Sequence, residues 1–314
     1  MGLFDKPEVT VLKETSDARD YLKKLEELQK DIPEHSELSN IIGREIAITK
    51  AGIIGEDAVM FELKNSGMDL VVLHDIYIET SDGRGAQIDY IVITPYLDVL
   101  IECKNLFGNI EINNKGDFIR SFSYGGKWIK EGIYSPVTQN ERHLTVLRDC
   151  KTEDKGKLRR FLINKSMDVF NRSLVVLANP KTVVNDRYAP KEIKQKVIRV
   201  DQLITTLKGM QTNCKSTKEE MISFGESFLK LNRDERKEYL TKFKELAEQC
   251  KQASEVNKCD TAENTDKSEK PEEQLICPWC GKELILRTAK KGANAGNQFY
   301  GCSGYPKCRY IKNI

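Results

Sequence analysis

Polar and apolar residues follow two different periods along this chain, and the switches between them mark its elements. Over 15–30, TSDARDYLKKLEELQK, apolar positions Ala18, Tyr21, Leu22, Leu25 and Leu28 recur three or four apart. That spacing predicts an amphipathic helix with Ser16 or Asp17 as its cap. A break containing Pro33 follows. AGIIGEDAVMFELKN then predicts a second helix from near Ile53, with Ile53, Val59, Met60 and Leu63 on one face. The pattern next changes to runs rich in Val and Ile: LVVLHDIYIE (70–79), QIDYIVIT (87–94) and VLIECKN (99–105). These predict buried strands, separated by the turn signals DGRG and TPYLD. GNIEI, DFIRSFS and KWIKEG predict shorter strands, the last two joined through YGG. Residues 136–150 predict a helix opening on Pro136, RSLVVLANP (172–180) a further buried strand, and KVIRVDQL (196–203) a last strand leading into a short helix. Residues 217–252 return to the helical period through Phe224, Phe228, Leu231, Leu240, Phe243 and Leu246, whereas 255–273 have no apolar period and predict a flexible linker.

Length and composition narrow the class. A chain of 314 residues suggests two domains with a small third. With 31% charged and 39% hydrophobic residues it reads as a soluble globular protein. No apolar run approaches the roughly 18–20 residues that would cross a bilayer, so no membrane association is expected. MGLFDKPEVT lacks a basic segment followed by an apolar one, so no secretory signal is expected. Of the nine cysteines, Cys103, Cys150, Cys214, Cys250 and Cys259 are scattered, and Cys277, Cys280, Cys302 and Cys308 cluster. An odd count with C-x-x-C spacing argues against a disulfide framework and for a cytoplasmic location. The net charge of +2 is unevenly spread. Residues 255–273 hold seven acidic residues and three lysines, and 274–314 hold seven basic residues and one acidic.

Charges inside the apolar runs need a reason. If VLIECKN is a strand, Glu102 and Lys104 share a face with Leu100, and Ile101 and Cys103 point the other way. Asp89 heads the preceding run and approaches Glu102 if the two strands pair antiparallel through TPYLD. Two adjacent carboxylates repel, and a hard divalent cation between them makes the pairing favourable. The Cys103 backbone carbonyl would supply a third oxygen. Such a cation polarises a phosphate oxygen and acidifies a water, and Lys104 would orient that water or offset charge at a phosphorane-like transition state. Glu56 falls on the apolar stripe of its helix, where a carboxylate wants a partner; the metal or its water would serve. Gln139 on the later helix would add a neutral hydrogen-bonding group. No phosphate-binding G-x-x-x-x-G-K-[ST], H-E-x-x-H or G-x-S-x-G occurs, and His35, His74 and His143 read as isolated.

The order helix-Glu, Asp, Glu-x-Lys and helix-Gln resembles the PD-(D/E)xK nuclease superfamily. GIIGEDAV, QIDYIVITPYLDVLIECKN and SPVTQN resemble, more narrowly, the NERD (nuclease-related) domain found in many bacterial proteins, over roughly 48–165. The resemblance implies an α/β (α+β), restriction-endonuclease-like mixed sheet flanked by helices. It also implies a divalent-metal phosphodiesterase site, Mg²⁺ or Mn²⁺, carried over to Glu56, Asp89, Glu102, Lys104 and Gln139. The superfamily proline is absent, since Ile88 precedes Asp89, and Ser135–Pro136 stands where Asn-Pro is more usual.

The C-terminal cysteines are spaced C-x₂-C, 21 residues, C-x₅-C. Four thiolates in two pairs suit tetrahedral Zn²⁺, and a metal staple compensates for a core this small. CPWCG…LILRTAKKG…FYGCSGYPKCRY closely resembles the C4 zinc ribbon at the C-terminus of bacterial type I topoisomerases. In that setting such ribbons bind DNA, often single-stranded. Lys290, Lys291, Lys307 and Arg309 would meet phosphates, and Trp279, Phe299, Tyr300, Tyr305 and Tyr310 offer stacking faces, some of which must pack the ribbon itself.

The expected organisation is an N-terminal helical segment (1–47), a NERD-like nuclease domain (48–212), a helical segment (213–254), an acidic flexible linker (255–273) and a C4 zinc ribbon (274–314). The expected function is metal-dependent DNA hydrolysis with the ribbon holding DNA. The alternative is an inactive nucleic-acid-binding or scaffold protein of the same fold, its ribbon docking a protein partner.

Overall fold

A computed structural model describes residues 6–33, 36–233, 240–241, 243–248, 282–288, 298–304 and 311–313. The chain divides into two units, Met1–Gln252 and Ala253–Ile314.

The first unit begins with strand β1 (Val9–Lys13), helix α1 (Asp17–Lys30) and helix α2 (Glu37–Lys64). Ser16 caps α1 by accepting from the Ala18 N–H, and Ser36 caps α2 by accepting from the Ser39 N–H. Strands β2 (Leu70–Glu79), β3 (Gly85–Ile93) and β4 (Asp98–Lys104) follow, then β5 (Asn109–Ile112), β6 (Phe118–Tyr124) and β7 (Lys127–Ile133). Helices α3 (Pro136–Thr152) and α4 (Lys157–Phe170) lead to β8 (Asn171–Leu177) and β9 (Val184–Asn185). Helix α5 (Lys191–Lys194), β10 (Val197–Arg199), α6 (Leu203–Gly209) and α7 (Lys218–Leu229) follow, and residues 243–248 are again helical.

The main sheet has the order β1-β2-β3-β4-β8-β10. Strands β2, β3 and β4 pair antiparallel, and the outer pairings are parallel. Helices cover both faces. On one, Val59, Met60 and Leu63 of α2 and Leu203 and Leu207 of α6 pack on Val72, Tyr90, Val92, Val99 and Ile101. On the other, Val146 and Leu147 of α3, Met167 of α4, and Met221 and Phe228 of α7 pack on Leu73, Ile91, Ile93 and Leu100. Both faces being covered explains why these strands read as continuous apolar runs. This is the mixed sheet flanked by helices expected from the sequence.

A second sheet, β7-β6-β5-β9, branches off after β4. Its inner residues Ile110, Ile112 and Phe118 pack on Val137, Val175 and Leu177. A third apolar cluster joins Leu25, Ile42 and Ile46 to Leu240 and Ala247.

Several elements differ from the expectation, among them the short β9 and α5, which were not expected. Strand β1 was not anticipated; it is an edge strand, half-buried along its length, so it shows no clean alternation. Helix α4 was also missed, because Leu158, Phe161 and Leu162 are exposed and break its stripe. Helix α2 is one 28-residue helix across the expected start at Ile53 and the expected segment boundary at 47/48. Gly55, inside it, serves close approach. A Cβ there would lie 2.7 Å from the Asn105 Cβ and 3.3 Å from the Cys103 Sγ.

In the second unit, β11 (Leu284–Thr288), β12 (Gln298–Cys302) and β13 (Ile311–Asn313) form an antiparallel sheet. Cys302 is buried, and its Sγ accepts from the Gly304 N–H at 3.3 Å. Phe299 and Tyr300 lie half-buried on β12. The expected zinc ligands Cys277, Cys280 and Cys308, the expected DNA contacts Lys290, Lys291, Lys307, Arg309, Trp279, Tyr305 and Tyr310, and the linker 255–273 lie outside the described residues.

Candidate active site

The turn between β3 and β4 is tied by Thr94, whose Oγ1 accepts from the Leu97 N–H at 2.9 Å. That turn sets the register Ile91↔Leu100 and Tyr90↔Ile101. Continued by one residue, it brings Asp89 opposite Glu102. There the ladder stops, and Asp89 Oδ2 accepts from the Cys103 N–H at 2.7 Å instead. On β4 the Lys104 carbonyl accepts from the Ala178 N–H, on the β8 side. Backbone groups alternate along a strand, so the Cys103 carbonyl points to the β3 side, toward Asp89.

Glu102 and Lys104 share the face of Leu100, beneath α3. Glu102 is 2% exposed, and Lys104 Nζ lies 2.6 Å from its Oε1. Burial lowers the affinity of the Lys104 ammonium for its proton, but the Glu102 carboxylate more than restores it, and the pKa is raised. Among the described residues Glu102 Oε2 has no hydrogen bond. His143 Nδ1 stands 3.3 Å from it, within ion-pair reach but out of line for a hydrogen bond. One turn earlier on α3 is Gln139, whose amide makes no hydrogen bond to Asp89, Glu102 or Lys104 among the described residues. Its neighbour Asn140 is fully buried and donates to the carbonyls of Leu100 (3.0 Å) and Leu174 (2.9 Å), fixing α3 over β4 and β8.

Glu56 sits across the sheet. Its Oε2 lies 2.9 Å from His74 Nε2, and His74 Nδ1 lies 3.0 Å from the Glu14 carbonyl. Two acceptors flank one imidazole, an arrangement suited to the imidazolium. Burial alone would lower the His74 pKa, but the Glu56 and Glu14 hydrogen bonds outweigh it and raise it. The ring stacks on Tyr90 at 4.5 Å, and the Tyr90 hydroxyl donates to the Glu56 carbonyl at 2.8 Å. The partner that the core-facing Glu56 needs is therefore His74. The β2 backbone helps aim this ring. Asp75 adopts φ +57°, rare for a non-glycine residue. It is held there by Gln87 Nε2 and the Asp17 N–H on its carboxylate and by Lys13 Nζ on its carbonyl.

Asp89 lies between these two pairs. Burial pushes its carboxyl well above the usual carboxylate range, and Glu102 and then Glu56 push it further. Such crowding of carboxylates at the end of a broken ladder is favourable ground for a cation. Among the described residues no three His, Cys, Asp or Glu side chains form a closed metal cage. Two carboxylates and a main-chain carbonyl instead make an open, all-oxygen set of the kind Mg²⁺ uses while keeping most of its waters.

Sequence reasoning missed His74, His143 and Asn140. The available signals were His143 four residues after Gln139, hence on the same helical face, and a histidine inside the apolar run LVVLHDIYIE.

Comparison with known proteins agrees with the two resemblances. Residues 51–178 match the nuclease-related domain family, NERD. That span holds Glu56, Asp89, Glu102, Lys104 and Gln139. Residues 274–314 match the topoisomerase DNA binding C4 zinc finger. DNA topoisomerase 1 of Methanocaldococcus jannaschii is 54% identical over 43 residues, which are 14% of this chain and 5% of that one. The chain thus matches a small part of that relative. No solved structure matches it. Residues 51–178 are thus similar to a nuclease-related domain, here built as a mixed sheet flanked by helices, and residues 274–314 to a topoisomerase-type C4 zinc ribbon.

Proposed function

We propose that the chain is a divalent-metal-dependent nuclease that hydrolyses DNA phosphodiester bonds, with the C-terminal ribbon holding DNA. The observation that carries this reading is the meeting of Asp89, the buried Glu102 and Lys104 at the end of the β3–β4 ladder, each at a cost that ordinary packing would not need. Asp89, Glu102 and the Cys103 carbonyl would hold Mg²⁺ or Mn²⁺. The bound cation would polarise a phosphate oxygen and lower the pKa of an attacking water. Lys104 neutralises Glu102 in the apo protein and, on the same face, offsets the charge that develops on the phosphate during attack. Asn140 fixes the helix above the site, and His143 and Gln139 project from that helix. The Glu56–His74 pair backs Asp89 from the opposite face and keeps Asp89 repelled by a second carboxylate. In the ribbon, Cys277, Cys280, Cys302 and Cys308 would hold Zn²⁺ and the surrounding lysines and arginines would meet phosphates. A cytoplasmic site of action is consistent with unpaired thiols at Cys103, Cys150 and Cys214.

The test is cleavage of labelled single- and double-stranded DNA and RNA in Mg²⁺, Mn²⁺ or chelator, with Asp89→Asn and Glu102→Gln alongside. Chelator and both variants should stop cleavage of DNA. Cleavage that survives either variant removes the assignment, and absence of any metal-dependent turnover favours the inactive binding protein instead.

A further inference from the structure

The β5–β7 insertion leaves the main sheet three residues before Phe107 and returns at Tyr134, so it is bracketed by Lys104 on one side and by Gln139 and His143 on the other. Its hairpin pairs Phe118↔Ile133 out to Tyr124↔Lys127. Gly125 and Gly126 close it with φ +57° and +75°. Positive φ at both central residues is the tight turn that keeps two strands paired to their tip. The hairpin is thus a fixed arm rather than a loose loop.

Alternation gives the arm two faces. One carries Phe118, Arg120, Phe122 and Tyr124 of β6 with Lys127, Ile129, Glu131 and Ile133 of β7, Arg120 being ion-paired with Glu131. Phe118 is buried under α3 and β8 as part of the core. The apolar face then runs on past the edge of that core. Phe107 is 62% exposed, lies edge-on to Phe122 with centroids 6.0 Å apart, and Tyr124 is 75% exposed. Arg120 lies 4.8 Å over the Phe122 ring, and beside the site Arg142 lies 5.4 Å over Tyr134, itself exposed. Among the described residues Lys127 and Arg142 have no carboxylate partner. An apolar face that continues outward beyond its core, beside free cations, implies an occupant.

We infer that this face is a stacking platform for unpaired nucleotides of the substrate, with Phe107 and Tyr124 as its anchors; the inference rests on the nuclease reading above. Flat aromatic rings with Lys127 and Arg142 beside them match bases on one side and phosphates on the other. A duplex keeps its bases inside and offers this face only its backbone. The platform begins three residues from Lys104, so bases stacked on Phe107 lead a strand directly past the carboxylates. The substrate class so specified is single-stranded or locally opened nucleic acid.

The experiment uses the full chain in chelator, where nothing is cleaved. A fluorescein-labelled oligothymidylate and a duplex of equal length are titrated against wild type, Phe107→Ala/Tyr124→Ala and the aromatic swap Phe107→Tyr/Tyr124→Phe. The alanine double variant should bind oligothymidylate about tenfold or more weakly, since each base–ring stack lost is worth about five- to a hundredfold. Its duplex affinity should hold within about twofold, and the aromatic swap should bind as wild type. Iodouracil-substituted single strands should photocrosslink to Phe107 or Tyr124. Equal loss on both probes, no loss on oligothymidylate, crosslinks confined to other residues, or a change of oligomeric state in the alanine variant overturns the inference. Binding of this kind by a chain that never cleaves leaves the platform standing and removes the nuclease reading. Metal-dependent cleavage with unaltered single-strand binding does the reverse.

Discussion

Replacing Lys104 by Met removes one charge and keeps most of the aliphatic stem. What it leaves behind is Glu102, 2% exposed, with one oxygen that already lacks a hydrogen bond. At the observed 2.6 Å, the attraction between the two charges is about 6 kcal/mol for an effective dielectric near 20. Part of that is returned as desolvation, and Lys104 is 29% exposed, which weakens the pair further. Breaking a buried pair from one side costs about 3–5 kcal/mol, and the exposed lysine puts this case at the lower end, about 3. For a unit of this size that is a fall in Tm of about 6–12 °C. The ammonium pKa is raised in the folded protein. The contribution is therefore fully present below its ordinary value of 10.5 and lost only as pH climbs through the raised one. The assay is urea denaturation at neutral pH, with and without Mg²⁺. Without metal, Lys104→Met should lose about 3 kcal/mol. With metal it should recover more stability than wild type gains, because a cation on the carboxylates takes over the neutralisation. A loss below about 1 kcal/mol would show that Glu102 does not depend on the lysine, and equal Mg²⁺ gains in both proteins would show that no cation sits on Glu102.

Three further outcomes follow from the same geometry. Asp89→Asn keeps an oxygen to accept from the Cys103 N–H and removes a carboxylate repelled by Glu102 and Glu56. Thermal denaturation should show stability unchanged or higher by about 1 kcal/mol, while cleavage falls about a hundredfold or more and the Mg²⁺ dependence of Tm disappears. Gly55→Ala drives a methyl group against Asn105 Cβ and Cys103 Sγ. Overpacking of this kind costs about 1–3 kcal/mol, partly offset by the roughly 1 kcal/mol that alanine gains in a helix, so chemical denaturation should show a net loss and cleavage should slow as α2 moves off β4. Lys151, at the far end of the sheet, is pushed down to about 8 by burial, which Asp98 only partly opposes. Between there and 10.5 the unfolded chain holds more protons at this site, so wild-type stability gains with rising pH across that window. The stability of Lys151→Met relative to wild type should therefore be more favourable at about pH 7.5 than at about pH 10.5, by up to about 3 kcal/mol; a pH-independent difference would refute the burial of that ammonium.

What could be read from the sequence depended on whether a residue's reason was local. Asp89, Glu102 and Lys104 stood out because each interrupts an apolar run, and alternation alone put Glu102 and Lys104 on one face. The short TPYLD turn fixed the pairing that brings Asp89 to them. His74 interrupts an apolar run just as plainly, but its meaning depends on Glu56, eighteen residues away on a helix, and on the kink at Asp75. No period announces such a pairing. Helix α2 was misread for a related reason. Its first half carries exposed apolar residues, Ile41 and Ile48, beside buried ones, so no clean stripe marks it. Strand β1 is an edge strand whose partner, β2, lies beyond two helices, so its pattern carries neither alternation nor continuous burial.

The two ion pairs explain how so many charges are tolerated in one place before any ligand arrives. Glu102 is paired with Lys104 on the α3 face, and Glu56 with His74 on the α2 face. Asp89, between them, has among the described residues no counter-charge of its own within hydrogen-bonding distance, only the Cys103 N–H. It is therefore the group that gains most from an added cation. The lysine and histidine stabilise the flanking carboxylates without neutralising the central one, so on the proposed reading the drive to bind metal would be concentrated at Asp89. A fold that paired all three would be more stable and would bind the ion less well. On this argument the order of effects is fixed. Removing Lys104 or His74 should act first on stability, whereas removing the Asp89 charge should act first on metal affinity and leave stability intact. If Asp89→Asn proved the most destabilising of the three, the central carboxylate would be a structural anchor and not the seat of the metal.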